Sequence, residues 1–199
     1  MSVDVRAKLA EKGVTLPIAT KPLAAYVPAV RTGNIVFTAG QLPMVDGAIA
    51  AAGKVGSDIT PEEAKGLAEI CALNALAAIE LVAPVDSIVK VVRIVCYVNG
   101  ASGFINHPAV ANGASELFMH IWGDAGIAAR SAIGVAELPL NSPVEVELTV
   151  EVAELLTALF KTFEIGNQYC ATIKFEPSAS SKVRKRLVNC FARCTNKLS

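Results

Sequence analysis

Arg130 stands near the head of "AARSAIGVAELPL" (128–140), an otherwise small and apolar run. A guanidinium is a rigid fork of five donors that never deprotonates, and its geometry matches a carboxylate bidentately. A short connection, "PLNSP", separates this run from "PVEVELTVEVAE" (143–154), which carries Glu145, Glu147 and Glu151. If the two segments are adjacent antiparallel strands, Arg130 and one of those glutamates come close. Two readings stay open. One is an ordinary cross-strand ion pair. The other is a pocket with Arg130 for a substrate carboxylate and a glutamate for its reacting water.

The remaining chemistry-bearing residues offer less. His107 and His120 lie thirteen apart on one predicted helix, which is no metal-ligand spacing, and neither has a Ser-His-Asp or Cys-His context. His107 reads as a helix-start residue and His120 as a packing or surface residue. Cys71 and Cys96 stand in apolar helix-like and strand-like runs and read as small buried hydrophobes. Cys170, Cys190 and Cys194 have no histidine near them and no second pair, so no metal site is expected. "TAGQLPMVDG" and "GDAG" lack the Gly-Lys-Ser/Thr ending of a phosphate loop.

The elements that position these residues can be read from period and punctuation. Residues 4–12 form a short helix ended by Gly13. "YVPAVRTGNIVFTAGQLP" (26–43) reads as a hairpin around Thr32-Gly33-Asn34, and 44–58 as a loop broken by glycine and aspartate. Thr60, Pro61 and Glu63 form a capping box opening a helix to about Val82, with apolar and alanine positions at a period of 3.6. "SIVKVVRIVCYVNG" (87–100) is a β-branched strand in which Lys90 and Arg93, three apart, fall on opposite faces. A second long helix covers 104–123, starting at Pro108; Gly113 in its interior costs about 1 kcal/mol relative to alanine and points to close packing. Strands at 130–138 and 143–153 follow. In the second, Val144, Val146, Leu148 and Val150 alternate with Glu145, Glu147, Thr149 and Glu151. The order β-β-α-β-α-β-β predicts an α+β fold, a mixed sheet with two helices on one face. The other face must meet solvent or another subunit.

Composition bounds the rest. The chain has 199 residues, 53% of them hydrophobic, enough for one domain with a sizeable core. No segment approaches the roughly 20 apolar residues of a membrane span, and "MSVDVRAKLAEKG" has no apolar signal core, so a soluble cytoplasmic protein is expected. Residues 1–154 hold ten Lys/Arg against sixteen Asp/Glu, a net of −6, while 155–199 carry +6. That break predicts a domain over 1–154 and a basic C-terminal extension over 155–199. "KVRKRLVNCFARCTNKLS" in that extension suits a nucleic-acid or acidic-surface arm, a nuclear-localisation-like cluster, or a non-core extension.

Three segments together resemble the RidA/YjgF family, in its chorismate-mutase-like putative endoribonuclease branch: "YVPAVRTGNIVFTAGQLP", "SIVKVVRIVCYVNGASGFINHPAVANGASELF" and "ARSAIGVAELPLNSPVEVEL". The resemblance covers about residues 15–153. It implies a chorismate-mutase-like fold, a homotrimer with clefts between subunits, and hydrolysis of reactive enamines and imines such as 2-aminoacrylate to 2-keto acids and ammonia, with no cofactor. It assigns Arg130 to the substrate carboxylate, Glu145 to the attacking water, Tyr26 to the cleft rim and Asn112 to a helix position near the cleft, with backbone groups after Arg130, at Ala132, able to bond the same acid. The chain departs from the common pattern at Ala39, Ala132 and Ala128, where relatives often carry serine, cysteine and histidine. The resemblance therefore favours carboxylate binding over turnover. The implied partners are a small 2-imino or 2-keto acid and other copies of the chain. Competing readings are a non-catalytic carboxylate-binding trimer and an endoribonuclease or translation inhibitor. The net charge of −6 over the matched region disfavours nucleic acid, and a single arginine is a thin cation set for a chorismate mutase.

Overall fold

The computed structural model describes residues 3–19 and 25–153. The predicted extension, with Cys170, Cys190, Cys194 and the basic helix, lies outside the described residues. Helix α1 (Val5–Glu11) is capped by the Asp4 carboxylate, which accepts from Ala7 N at 2.9 Å, and it buries Val5 and Leu9. Strands β1 (Ala29–Thr32) and β2 (Ile35–Thr38) form the expected hairpin, turning through Gly33 at φ 59°.

The stretch read as a loop holds a second small hairpin, β3 (Met44–Val45) and β4 (Ala48–Ile49). It turns through Asp46 and Gly47 at φ 51° and 82°, the two positive values that an Asp-Gly turn supplies. Its two-residue arms are too short to show a period.

Helix α2 (Pro61–Glu80) begins with the expected box: Thr60 Oγ1 accepts from Glu63 N at 3.2 Å, and the Glu63 carboxylate accepts from Thr60 N at 2.8 Å. Strand β5 (Ile88–Asn99), helix α3 (His107–Trp122), strand β6 (Ala129–Val135) and strand β7 (Val144–Val152) complete the fold. The α+β class and the mixed sheet agree with the sequence reading.

The sheet order is β1-β2-β7-β5-β6. Helix α3 carries the chain from β5 back to a parallel β6, as a parallel pair requires. Strand β7 then pairs antiparallel with both β5 and β2. The expected pairing of β6 with β7 is therefore wrong, because β5 lies between them. The 139–141 connection makes no hairpin; it passes the end of β5 with Leu140 and Asn141 at φ 57° and 53°. Buried Asn99 holds it there, donating to Ser142 O at 3.2 Å and Asn141 Oδ1 at 3.3 Å, while Lys54 Nζ donates to Asn99 Oδ1 at 2.7 Å.

A second expectation also fails. Two irregularities in β5, at Val89 and Val92, put Lys90 opposite Glu151 and Arg93 opposite Thr149. Both cations thus share one face with the β7 carboxylates. Each extra residue shifts the side-chain period by one.

The core lies between the other face and the helices. Val144, Val146, Leu148 and Val150 of β7 are buried, with Ala64, Ala68, Cys71, Ala75 and Ala78 of α2 in the same apolar cluster. Small residues let α2 approach closely. Gly113 of α3 does the same for the helix pair: a Cβ there would strike the Lys65 carbonyl oxygen of α2.

Gly113→Ala is expected to lower stability by about 1–3 kcal/mol in urea unfolding, although alanine is the better helix former. Gly66→Ala, at an exposed position of α2 with open space around it, is expected to raise stability by up to about 1 kcal/mol. Equal effects at both positions would contradict the close contact.

Candidate functional site

Arg130 lies on β6 opposite Ile94 of β5, so it looks toward the helix side of the sheet. Its Nη1 donates to Asn112 Oδ1 at 2.8 Å and to Ser115 Oγ at 2.9 Å. Asn112 and Ser115 are three apart on α3 and therefore neighbours on one face. Both acceptors are neutral. Among the described residues no carboxylate pairs with Arg130, so the ion-pair reading is overturned. The side chain is exposed, and two uncharged acceptors fix one edge of the guanidinium. This leaves a positioned cation at the sheet's edge, suited to an incoming carboxylate.

Ala132 follows two residues along β6, on the same side and half-buried, beside Cys96 of β5. Sequence reasoning named Asn112 and Ala132 and missed Ser115. Its spacing from Asn112 was the available signal.

Glu145 is not part of this arrangement within one chain. It sits opposite Tyr97 on β5, on the face away from the helices. Arg130 is two strands away, three residues along and on the opposite face, a separation on the order of 14 Å. Glu145 belongs to a second constellation. Its carboxylate packs onto Gly40, where a Cβ would overlap it. Glu147 is two residues on along the same face and accepts from Tyr97 Oη at 3.3 Å. Burial, aided by the nearby Glu147 charge, raises the Glu145 carboxyl above its ordinary range, as suits a proton-transferring group. Burial and the Glu147 carboxylate likewise raise the Tyr97 hydroxyl.

Tyr26 lies half-exposed on the wall of a cavity of about 970 Å³, together with Gly40, Gln41, Leu42, Asn74 and Leu140. Gly40, onto which the Glu145 carboxylate packs, also lines this cavity, and Arg130 does not. One chain thus carries two separate groups of candidate residues: Arg130, Asn112, Ser115 and Ala132 between β6 and α3, and Tyr26, Gly40 and Glu145 elsewhere.

The other candidates are accounted for. His120 Nε2 bonds Lys8 O at 2.9 Å and ties α3 to α1. Cys71 and Cys96 are buried and free. Burial pushes the Cys71 thiol well up and Cys96 to about 12, so neither is a nucleophile at neutral pH. No cluster of three or more His, Cys, Asp or Glu of metal-binding arrangement occurs among the described residues. Nor is any described helix long and apolar enough to cross a membrane.

Fold and site define a class: a small mixed-sheet α+β unit with an anion-receptive arginine on its parallel edge strand. The model of the family described as YjgF/chorismate mutase-like, putative endoribonuclease, matches residues 6–152, and the chain belongs to that family. Among solved structures, the protein Atu1372 of Agrobacterium tumefaciens is 38% identical with a TM-score of 0.70, over 75% of this chain and 92% of that one. A putative endoribonuclease of Shewanella oneidensis is 30% identical with a TM-score of 0.72, over 74% and 99%. A curated relative from Dermatophagoides farinae, named 2-iminobutanoate/2-iminopropanoate deaminase, is 30% identical over 137 residues, 69% of this chain and 93% of the relative.

The raised Glu145 carboxyl has a consequence for stability. The folded chain holds that proton more tightly than the unfolded chain, so stability falls as pH rises from the ordinary carboxylate value through the raised one. Glu145→Gln, uncharged throughout, is expected to have a higher urea midpoint than wild type at about pH 7.5, with the gap closing toward about pH 3. A gap independent of pH would contradict the buried-carboxylate account.

Proposed function

We propose that the protein hydrolyses small 2-imino acids, such as the imine form of 2-aminoacrylate, to 2-keto acids and ammonia. We further propose that it does so as a homotrimer in which the Arg130 edge of one copy faces the Glu145 half-site of another. The observation that carries this reading is the Arg130 guanidinium, held by two neutral acceptors and met by no carboxylate among the described residues. The family and the Dermatophagoides relative's name support the reaction class.

The free edge of Arg130 grips the substrate carboxylate and fixes the adjacent imine carbon. That carbon is already electrophilic, so orientation and one placed water suffice. Water adds to the C=N carbon, and its proton passes by way of Glu145 to the imine nitrogen. The resulting carbinolamine passes its hydroxyl proton, by way of Glu145, to the nitrogen as the C–N bond breaks, which leaves the C=O bond and free ammonia. Burial and the Glu147 charge raise the Glu145 carboxyl, which suits a group that takes and returns a proton. Assembly brings the two half-sites together, since one chain holds them apart. The open sheet face, with Val30, Phe37 and Ile133 exposed among charged side chains, supplies a surface for that assembly.

The ribonuclease reading is weaker. His107 and His120 stand about 20 Å apart along α3, and His120 is bonded to α1, so they form no acid–base pair.

With 2-aminoacrylate generated in situ by a dehydratase, the wild type is expected to accelerate keto-acid release. Arg130→Ala is expected to lose about 100-fold in kcat/KM. No acceleration by the wild type would remove the deaminase reading. Keto-acid binding without turnover, lost in Arg130→Ala, would make the protein a carboxylate-binding one. Sedimentation as a monomer at assay concentration would remove the shared site.

A further inference from the structure

His107, the first residue of α3, has no part in the reaction described above, and its surroundings are specific. Its imidazole approaches the backbone of β6 at Gly134 with Nε2 foremost. A Cβ at that position would sit 2.5 Å from Nε2 and 2.8 Å from Cε1, so the strand can carry only glycine there if the ring is to stay. The Phe104 ring holds it edge-on, with centroids 5.3 Å apart and planes at 83°. Nε2 also lies 3.5 Å from the place of a Cβ on Gly100. The ring is half-buried, and no hydrogen bond engages it among the described residues. A ring positioned by a glycine and an aromatic edge, yet bonding nothing, is an unused donor and acceptor.

Gly134 shares its face of β6 with Ala132 and Arg130. Helix α3 runs antiparallel beside the strand, placing Asn112 and Ser115 at Arg130 and His107 at Gly134. Arg130 and His107 therefore mark the two ends of one row, on the order of 10 Å apart. Between them stand small residues only: half-buried Ala132 on the strand and buried Ala111 on the helix. A row with a cation at one end, a polar ring at the other and methyl groups between offers polar partners at the spacing of a short carbon chain with polar groups at both ends.

The spacing excludes a direct chemical role for His107. A carboxylate on Arg130 puts the imine carbon one bond further on, well short of the imidazole, so His107 cannot activate water at that carbon. What it can reach is the tail. Lys54, whose ammonium lies toward that end of the strands, is already committed to Asn99 Oδ1 at 2.7 Å, Ala136 O at 2.6 Å and Glu137 at 3.4 Å.

Resting on the carboxylate role of Arg130 given above, we propose that His107, seated on Gly134, is a specificity residue. It hydrogen-bonds the tail of the bound acid and selects five-carbon 2-imino and 2-keto acids with a terminal carboxylate or amide over unsubstituted short ones. An extended five-carbon diacid spans the distance between guanidinium and imidazole; a four-carbon monoacid reaches only the arginine.

Calorimetric titration of the full chain with 2-oxoglutarate and 2-oxobutanoate tests this. The wild type is expected to bind 2-oxoglutarate about tenfold more tightly, the worth of one added hydrogen bond. His107→Ala is expected to abolish that preference while leaving 2-oxobutanoate binding unchanged. Gly134→Ala, which keeps the histidine but displaces its ring, is expected to do the same, and His107→Gln to restore part of it. Binding of 2-oxobutanoate with no preference in the wild type, or a preference that survives both His107→Ala and Gly134→Ala, overturns the specificity role alone. Failure of the folded wild type to bind either acid overturns it together with the carboxylate site.

Discussion

Strand β7 pairs on both sides, with β2 and with β5, so its side-chain period of two decides which residues of three strands meet the helices. Val144, Val146, Leu148 and Val150 face α2 and α3 and are buried. In register with them across β5 come Val98, Cys96, Ile94 and Val91, and through β5 the Arg130–Ala132–Gly134 row of β6. The glutamates of β7 are sent to the opposite face by the same alternation. A slip of one residue would exchange the two sets and bury carboxylates under α2. The register is therefore fixed by the core before any ligand is considered.

That constraint shapes the site. Arginine and glutamate cannot meet inside one chain, because the geometry that buries the valines turns Glu145 away from the helix side while Arg130 looks toward it. The guanidinium is left instead to Asn112 and Ser115, which orient it without neutralising it. Glu145 is left to Gly40 and Glu147, a crowded setting that favours its protonated form. The two groups are set separately: the guanidinium meets neutral acceptors, and burial and the Glu147 charge shift the carboxyl toward its protonated form.

Much of this was legible in the residues. The Thr60–Glu63 box, the strict alternation of β7 and the close contact of Gly113 each rest on local chemistry that acts within a few residues, and each appears as read. The pairing of β6 with β7 was misread because a short connection normally joins neighbours, and nothing local shows that β5 has taken the intervening place. The placement of Lys90 and Arg93 was misread because a bulge is a disagreement between two strands, visible only in register. The same limit hid the real partners of Arg130: Asn112 was reached through family resemblance, and Ser115 needed the α3–β6 contact.

Strand β6 is the outer strand of its sheet, with β5 on one side and no strand on the other among the described residues. Its sequence, "ARSAIGV", is small, apolar and easily matched to a copy of itself. Open edges of this kind invite uncontrolled strand addition, and a charge on the edge is a common defence. Arg130 places a full positive charge there, and two such edges brought together would oppose one another. The guanidinium that Asn112 and Ser115 hold in place thus also weighs against the pairing of one β6 edge with another.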